Sequence, residues 1–190
     1  MHKVIPPAKN RAVLLVDGYN VVGNWLDLKQ VRDVHGLESA REALIEALAS
    51  YSAFQGWDTR IVFDAQYRQG TATCDSVTQD LLVCYTDFGQ TADTYIEMTC
   101  ALLLRQVVKP RVIVATSDRD QQLTVTGYGA EWMSAPQLAA DVDFAARKVR
   151  QKQRAARRSR QRFLFHSLDP AAQQQLMQMR LGIEPGSKNL

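Results

Sequence analysis

Hydrophobic and polar positions along this chain follow two alternating regimes. Val13-Leu14-Leu15-Val16, Arg60-Ile61-Val62-Phe63, Leu81-Leu82-Val83-Cys84-Tyr85 and Arg111-Val112-Ile113-Val114-Ala115 are short, nearly unbroken apolar runs rich in residues that suit a pleated surface, so they read as buried strands. Between them apolar residues recur at helical spacing. Leu37, Ala40, Leu44, Leu48 and Tyr51, broadened by Ile45, predict a helix that stops at Gly56. Ile96, Cys100, Leu103 and Leu104 predict a second, opening at Thr91 as N-cap. A third helix starts at Ser117-Asp118-Arg119-Asp120, read as a capping box, and ends near Gly127 and Gly129. Glu131-Trp132-Met133 reads as a short fifth strand, and Ser134-Ala135-Pro136-Gln137 caps a helix that can run on through a stretch free of proline and glycine to Asp169. Asp169-Pro170 restarts a last helix, closed by Gly182.

Two stretches carry no such period. Val21 to His35 reads as a loop or short helical turn, and Gln66 to Asp80 as a long polar connection of the kind more often functional than idle. Strands alternating with helices imply a mainly parallel sheet of about five strands, covered on both faces. Residues 1–11 are an extended lead-in, 12–140 form the α/β domain, and 141–190 form a C-terminal basic helical extension.

Charge divides the chain again. Nine of its 23 Lys and Arg lie between Arg147 and Arg162, where there is no acid, which leaves 14 bases against 20 acids elsewhere. A net charge of +3 therefore conceals a basic segment of +9 on a body of about −6. Such a segment is expected to attract nucleic-acid phosphates through Arg147, Lys148, Arg150, Arg154, Arg157 and Arg158, although a solvated helix is the plainer reading. The three cysteines form no C-x-x-C pair, so neither a disulfide framework nor a zinc site is indicated and reduced thiols are expected. The N-terminal residues lack an apolar stretch of signal-peptide length, and no run approaches the roughly 20 apolar residues of a membrane span. A soluble protein of the cytoplasm is the expectation.

The chemistry lies where the strands end. Asp17, Asp64 and Asp118 each follow an apolar run, and Asp93 follows the turn after Tyr85, so a parallel sheet would gather four acids at its carboxyl edge. Glu97, one turn beyond Asp93, and Asp120 are further candidates. Clustered carboxylates without His or Cys suit a hard cation, Mg²⁺ or Mn²⁺, and the hydrolysis of phosphodiesters. Each of these acids also fits an ordinary turn or helix cap. No Gly-rich phosphate loop of the G-x-x-x-x-G-K type is present. Arg41 reads as a solvated helix arginine or a phosphate contact. Tyr67 and Arg68 read as groups that stack on and pair with a polynucleotide, or as loop surface.

Asp17-Gly18-Tyr19-Asn20, Phe63-Asp64-Ala65, Thr91-Ala92-Asp93 with Tyr95-Ile96-Glu97, Thr116-Ser117-Asp118 with Gln121 or Gln122, and Gly129-Ala130 with Met133-Ser134-Ala135 resemble, in that order, the NYN-domain nucleases of the PIN-like superfamily, in the YacP-like branch that includes ribosome-associated endoribonucleases. The resemblance covers roughly residues 12 to 140. It implies a PIN-like three-layer α/β sandwich and a divalent-metal endoribonuclease acting on single-stranded RNA, with the message on the ribosome as a candidate substrate. Carried over by position, Asp17, Asp93 and Asp118 resemble the metal-holding carboxylates, with Asp64 or Asp120 beside them. Asn20 resembles the amide that orients Asp17 or a metal-bound water, and Tyr19 lies where RNA would pass. DNA and membranes are not expected partners. A catalytically silent RNA- or ribosome-binding module is the competing reading. A small phosphatase is a third, weakened by the absence of a D-x-D arrangement at Asp17-Gly18-Tyr19.

Overall fold

The strand Val13–Asp17 (β1) is buried at every position because it lies in the middle of the sheet with a helical layer on each face. The computed structural model describes residues 11–64, 73–166, 169, 171–173 and 177–178. After β1 come Gly18–Asn24 (α1), Leu26–His35 (α2), Leu37–Gln55 (α3), Asp58–Phe63 (β2), Thr73–Thr78 (β3) and Leu81–Tyr85 (β4). The order then continues with Ala92–Leu104 (α4), Val112–Ala115 (β5), Arg119–Gly127 (α5), Glu131–Met133 (β6) and Ala135–His166 (α6). Cα packing divides the chain into two units, residues 1–146 and 147–190.

Among the described residues of the first unit, six strands form one sheet in the order β3-β4-β2-β1-β5-β6, parallel except where β3 meets β4. Successive side chains of a strand face opposite sides, so β1 serves two cores at once. Leu14 and Val16 pack with Ile61, Phe63 and Ile113 against α1, α2, α3 and the first turns of α6. Val13 and Leu15 pack with Val62, Cys84 and Val114 against α4 and α5. This is the expected three-layer sandwich, with a sheet one strand larger than the pattern predicts.

The additional strand is β3, which lies inside the polar stretch read as a loop. Its residues, Thr-Cys-Asp-Ser-Val-Thr, are exposed or half-buried, so no apolar pattern marks them. It forms because an antiparallel edge needs only backbone partners on one side, and charge such as Asp75 is tolerated there. The register sets Cys74 directly opposite Cys84, and the two are joined as a disulfide, while Cys100 is free and buried. The expectation of three reduced thiols is thereby corrected. Spacing of ten residues in sequence gives no sign of a contact that only the hairpin register creates.

Val21 to His35 is also not a loop. It forms α1 and α2, broken at Trp25, whose backbone is extended. Each helix buries so few residues (Gly18, Val21 and Val22 in one, Leu28 in the other) that the 3.6-residue period never repeats. The cap of α5 differs too: Asp118, not Ser117, is the N-cap, and Ser117 Oγ instead accepts from the Ala135 N–H at 3.2 Å. Thr91 caps α4 as expected.

In the second unit, Arg147, Lys148, Arg150, Arg154 and Arg157 are exposed on α6. The side chain of Arg158 lies outside the described residues. Asp169 Oδ1 accepts from the Ala172 N–H at 2.8 Å, the cap expected there, and most of the predicted last helix lies outside the described residues. No helix among the described residues is long and apolar enough to cross a membrane.

Candidate functional site

The chain runs from β1 outward to β2 on one side and returns to β5 on the other, so β1 is the switch point where a parallel sheet opens a crevice at its carboxyl edge. Asp17 is the last residue of β1 and stands at that place. It is 8% exposed and serves as N-cap of α1, its Oδ1 accepting from the Asn20 N–H at 3.0 Å. The neighbouring Gly18 is required by packing, since a Cβ there would run into the Phe63 ring.

The other acids arrive by the same device. Asp64, just past β2, accepts at Oδ1 from the Ala92 N–H at 2.5 Å and so fastens the start of α4 to the end of β2. Asp118, beyond β5, accepts at Oδ1 from the N–H groups of Asp120 (2.8 Å) and Gln121 (3.0 Å). Asp93 lies half-buried in the first turn of α4. Carboxylates at helix starts are favoured by the unpaired N–H groups and the dipole. These backbone bonds use Oδ1 of Asp17, Asp64 and Asp118.

Electrostatics shows which acids act on one another. Burial, opposed by the Asn20 amide and reinforced by Asp93 and Asp64, pushes the Asp17 carboxyl up to about 7. Asp93 is also raised, first by burial and then by the charges of Asp118 and Asp64. The Asp17 and Asp93 carboxyls interact directly, and burial raises both. Among the described residues, no lysine or arginine is one of the groups that shift either acid. The charges of Asp64 and Asp118 thus act on the Asp17–Asp93 pair, Asp64 on both members and Asp118 on Asp93. Asp120 is exposed and Glu97 acts on Cys100, and neither contributes to the shifts of Asp17 or Asp93.

Among the described residues no three His, Cys, Asp or Glu side chains are gathered as a metal-binding group. The donor set nevertheless fits a hard dication. It is all oxygen, its members repel, and Mg²⁺ commonly binds through one or two carboxylates while retaining waters. Asp17 and Asp93, with Asp118 beside Asp93, are the residues that would hold it.

Asn20 differs from its expected role. Its backbone N–H, not its side-chain amide, reaches Asp17, while its Oδ1 accepts from the Ser117 N–H at 2.7 Å. Asn20 therefore ties the ends of β1 and β5 together. Arg41 is not a solvated arginine: its side chain is 14% exposed, paired with Glu38, and Nη1 donates to Tyr19 Oη at 3.2 Å, while its buried Nε has no partner among the described residues. The Tyr19 ring packs on Phe63 at 5.0 Å, and Phe63 stacks on Tyr85 at 5.8 Å. Tyr67 and Arg68 lie outside the described residues. The Gln121 amide is buried as well, which a helix start made of polar residues does not signal.

A family model for the YacP-like NYN domain matches residues 14–181. The chain belongs to the YacP-like NYN family. A curated relative, the uncharacterised protein YacP of Bacillus subtilis strain 168, is 33% identical over 142 residues, covering 75% of this chain and 81% of the relative. Crystal structures of Rae1 (YacP) from Bacillus subtilis are similar in fold. One superposes with a TM-score of 0.64 at 30% identity, covering 90% of this chain and 95% of that one. Its W164L mutant gives a TM-score of 0.64 at 32% identity, covering 76% and 83%. A YacP-like NYN chain has a nuclease-like fold, and the four coupled acids lie at the edge of the sheet where α/β proteins bind ligands.

Proposed function

We propose that this YacP-like NYN protein is a divalent-metal-dependent endoribonuclease that hydrolyses phosphodiester bonds of single-stranded RNA, with the message on the ribosome as a candidate substrate. The observation that carries the reading is the Asp17–Asp93 carboxyl pair, buried at the switch point of the sheet and, among the described residues, shifted by other acids rather than by a base. Structural acids are normally kept apart or paired with a base, because burying like charges together is unfavourable. A bound Mg²⁺ or Mn²⁺ would offset that repulsion and supply electrophilic stabilisation of charge on the phosphoryl oxygens.

The chain's own residues do the rest. Asp17 and Asp93 bind the cation, Asp118 adds negative charge beside Asp93, and Asp64 holds α4 so that Asp93 stays in place. Asn20 keeps the ends of β1 and β5 in register. Tyr19 offers a ring to an incoming strand, and Arg41 holds the Tyr19 hydroxyl in place. The exposed bases of residues 147–157 attract the phosphate backbone without reading sequence.

A silent RNA-binding module is the second reading, favoured by the capping role that already occupies an oxygen of Asp17, Asp64 and Asp118. The experiment that separates them is cleavage of a single-stranded RNA, with and without ribosomes, in Mg²⁺ or Mn²⁺ and in chelator. Cation-dependent cuts by the wild type that vanish in Asp17→Asn and Asp93→Asn are expected. Cuts that ignore both chelator and substitution would refute the site.

A further inference from the structure

Gln121 is 2% exposed, and neither its Oε1 nor its Nε2 has a hydrogen-bond partner among the described residues. An amide buried in this way forgoes its bonds to water at both ends, and a native chain retains such a group for a reason other than packing. Its position suggests the reason. The Gln121 N–H donates to Asp118 Oδ1 at 3.0 Å, and one turn further on Val125 is fully buried in a core layer with Ala92, Tyr95 and Ile96 of α4. Helical spacing puts Gln121 on the same inward face as Val125, one turn nearer the start of α5. That is the level of Asp118, which the Gln121 N–H holds.

An amide presents a donor and an acceptor side by side, which suits it to hold a water molecule beside carboxylates. We propose that Gln121 is a positioning residue that orders the attacking water at the acid cluster. Oε1 accepts one O–H of that water and a cluster carboxylate accepts the other, which leaves the oxygen lone pair directed at the scissile phosphate. In the step itself the water oxygen bonds to phosphorus as the bond to the leaving ribose oxygen breaks. One water proton passes to the carboxylate, and the leaving oxygen takes a proton from solvent. This role rests on the nuclease reading, and it differs from packing in a measurable way.

The test is Gln121→Met, which conserves volume and removes both polar atoms, made in the full chain and assayed on single-stranded RNA. A buried amide kept for a ligand predicts that the variant melts about 2–4 °C higher. It also predicts that kcat falls roughly ten- to a hundredfold while KM is unchanged. Gln121→Glu retains an accepting oxygen and should keep more turnover than the Met variant. A Met variant that melts lower than the wild type would show that the amide has structural partners and overturn the proposal. So would a cleaving wild type matched by an equally active Met variant, with the nuclease reading left standing. A wild type that leaves RNA intact overturns that reading, and this proposal with it.

Discussion

The tip of β1 and the basic stretch that begins at Arg147 carry opposite charge in opposite ways. At the tip, Asp17 and Asp93 share a hydrogen bond in a place that burial has largely deprived of water, and the ionised form of Asp17 is disfavoured up to about pH 7. In the basic stretch, the bases from Arg147 to Arg157 follow one another along α6 with their side chains in solvent. Water screens the bases, so their closeness costs little. A desolvated pair of acids has no such relief, and only a proton or a cation can supply it. The first region is therefore suited to a specific, short-range ligand and the second to a long-range, salt-sensitive one.

The sharpest way to break this contrast is to neutralise the acids. Asp17→Asn and Asp93→Asn should each reduce RNA cleavage by roughly a thousandfold or more, as expected when a group that binds a catalytic cation is lost, while circular dichroism shows the fold retained. Loss of activity with loss of fold would instead mark the acids as caps.

Next comes stability against pH in the absence of divalent cations. The folded Asp17 carboxyl at about 7 lies above its ordinary 3.8, so its contribution is fully present below about pH 3.8 and is lost as pH rises through 7. The loss is on the order of 4 kcal/mol at 1.36 kcal/mol per unit. Asp93, raised in the same direction, adds to it. Thermal melts should therefore fall between pH 4 and pH 8 for the wild type and much less for Asp17→Asn. Mg²⁺ or Mn²⁺ at about a hundred times its Kd should restore on the order of 2.7 kcal/mol at pH 8. Identical pH slopes for the two proteins would remove Asp17 from the account.

On the other side of the comparison, Arg154, Arg157 and Arg158 changed together to Gln should weaken RNA binding. The slope of log affinity against log salt should flatten by roughly 2, at about 0.7 per lost phosphate contact on a single strand. Melting should not change. An unaltered slope would take these bases out of RNA binding.

The smallest expected effect is at Tyr19. Tyr19→Phe removes the oxygen that accepts from Arg41 and keeps the ring on Phe63, so it should cost on the order of 1 kcal/mol in melts. RNA affinity should stay within about twofold if the ring, rather than the hydroxyl, is what meets the strand.

How far the chain could be read without coordinates follows from the same physics. Strands buried on both faces advertise themselves as unbroken apolar runs, so β1, β2, β4 and β5 were all legible together with the acids at their ends. The long stripes of α3 and α4 repeat often enough to be seen. β3 was hidden because an exposed edge strand buries almost nothing, and the α1–α2 pair because two short helices never complete a repeating stripe. Asp118 replaced Ser117 as the cap of α5 because both types suit that position and only the chain path chooses between them.

Local pattern alone therefore determined the layered α/β class, the presence of acids at strand ends and the separate basic stretch, since burial period and composition are properties of short windows. Tertiary structure decided which acids act on one another, that Cys74 faces Cys84, that Arg41 is covered by Tyr19 and Glu38, and that the Gln121 amide is buried without a hydrogen-bond partner among the described residues. Those outcomes depend on register and on the approach of elements distant in sequence. Solvent is excluded only by the assembled layers, and it is that exclusion which turns a row of ordinary aspartates into a coupled set.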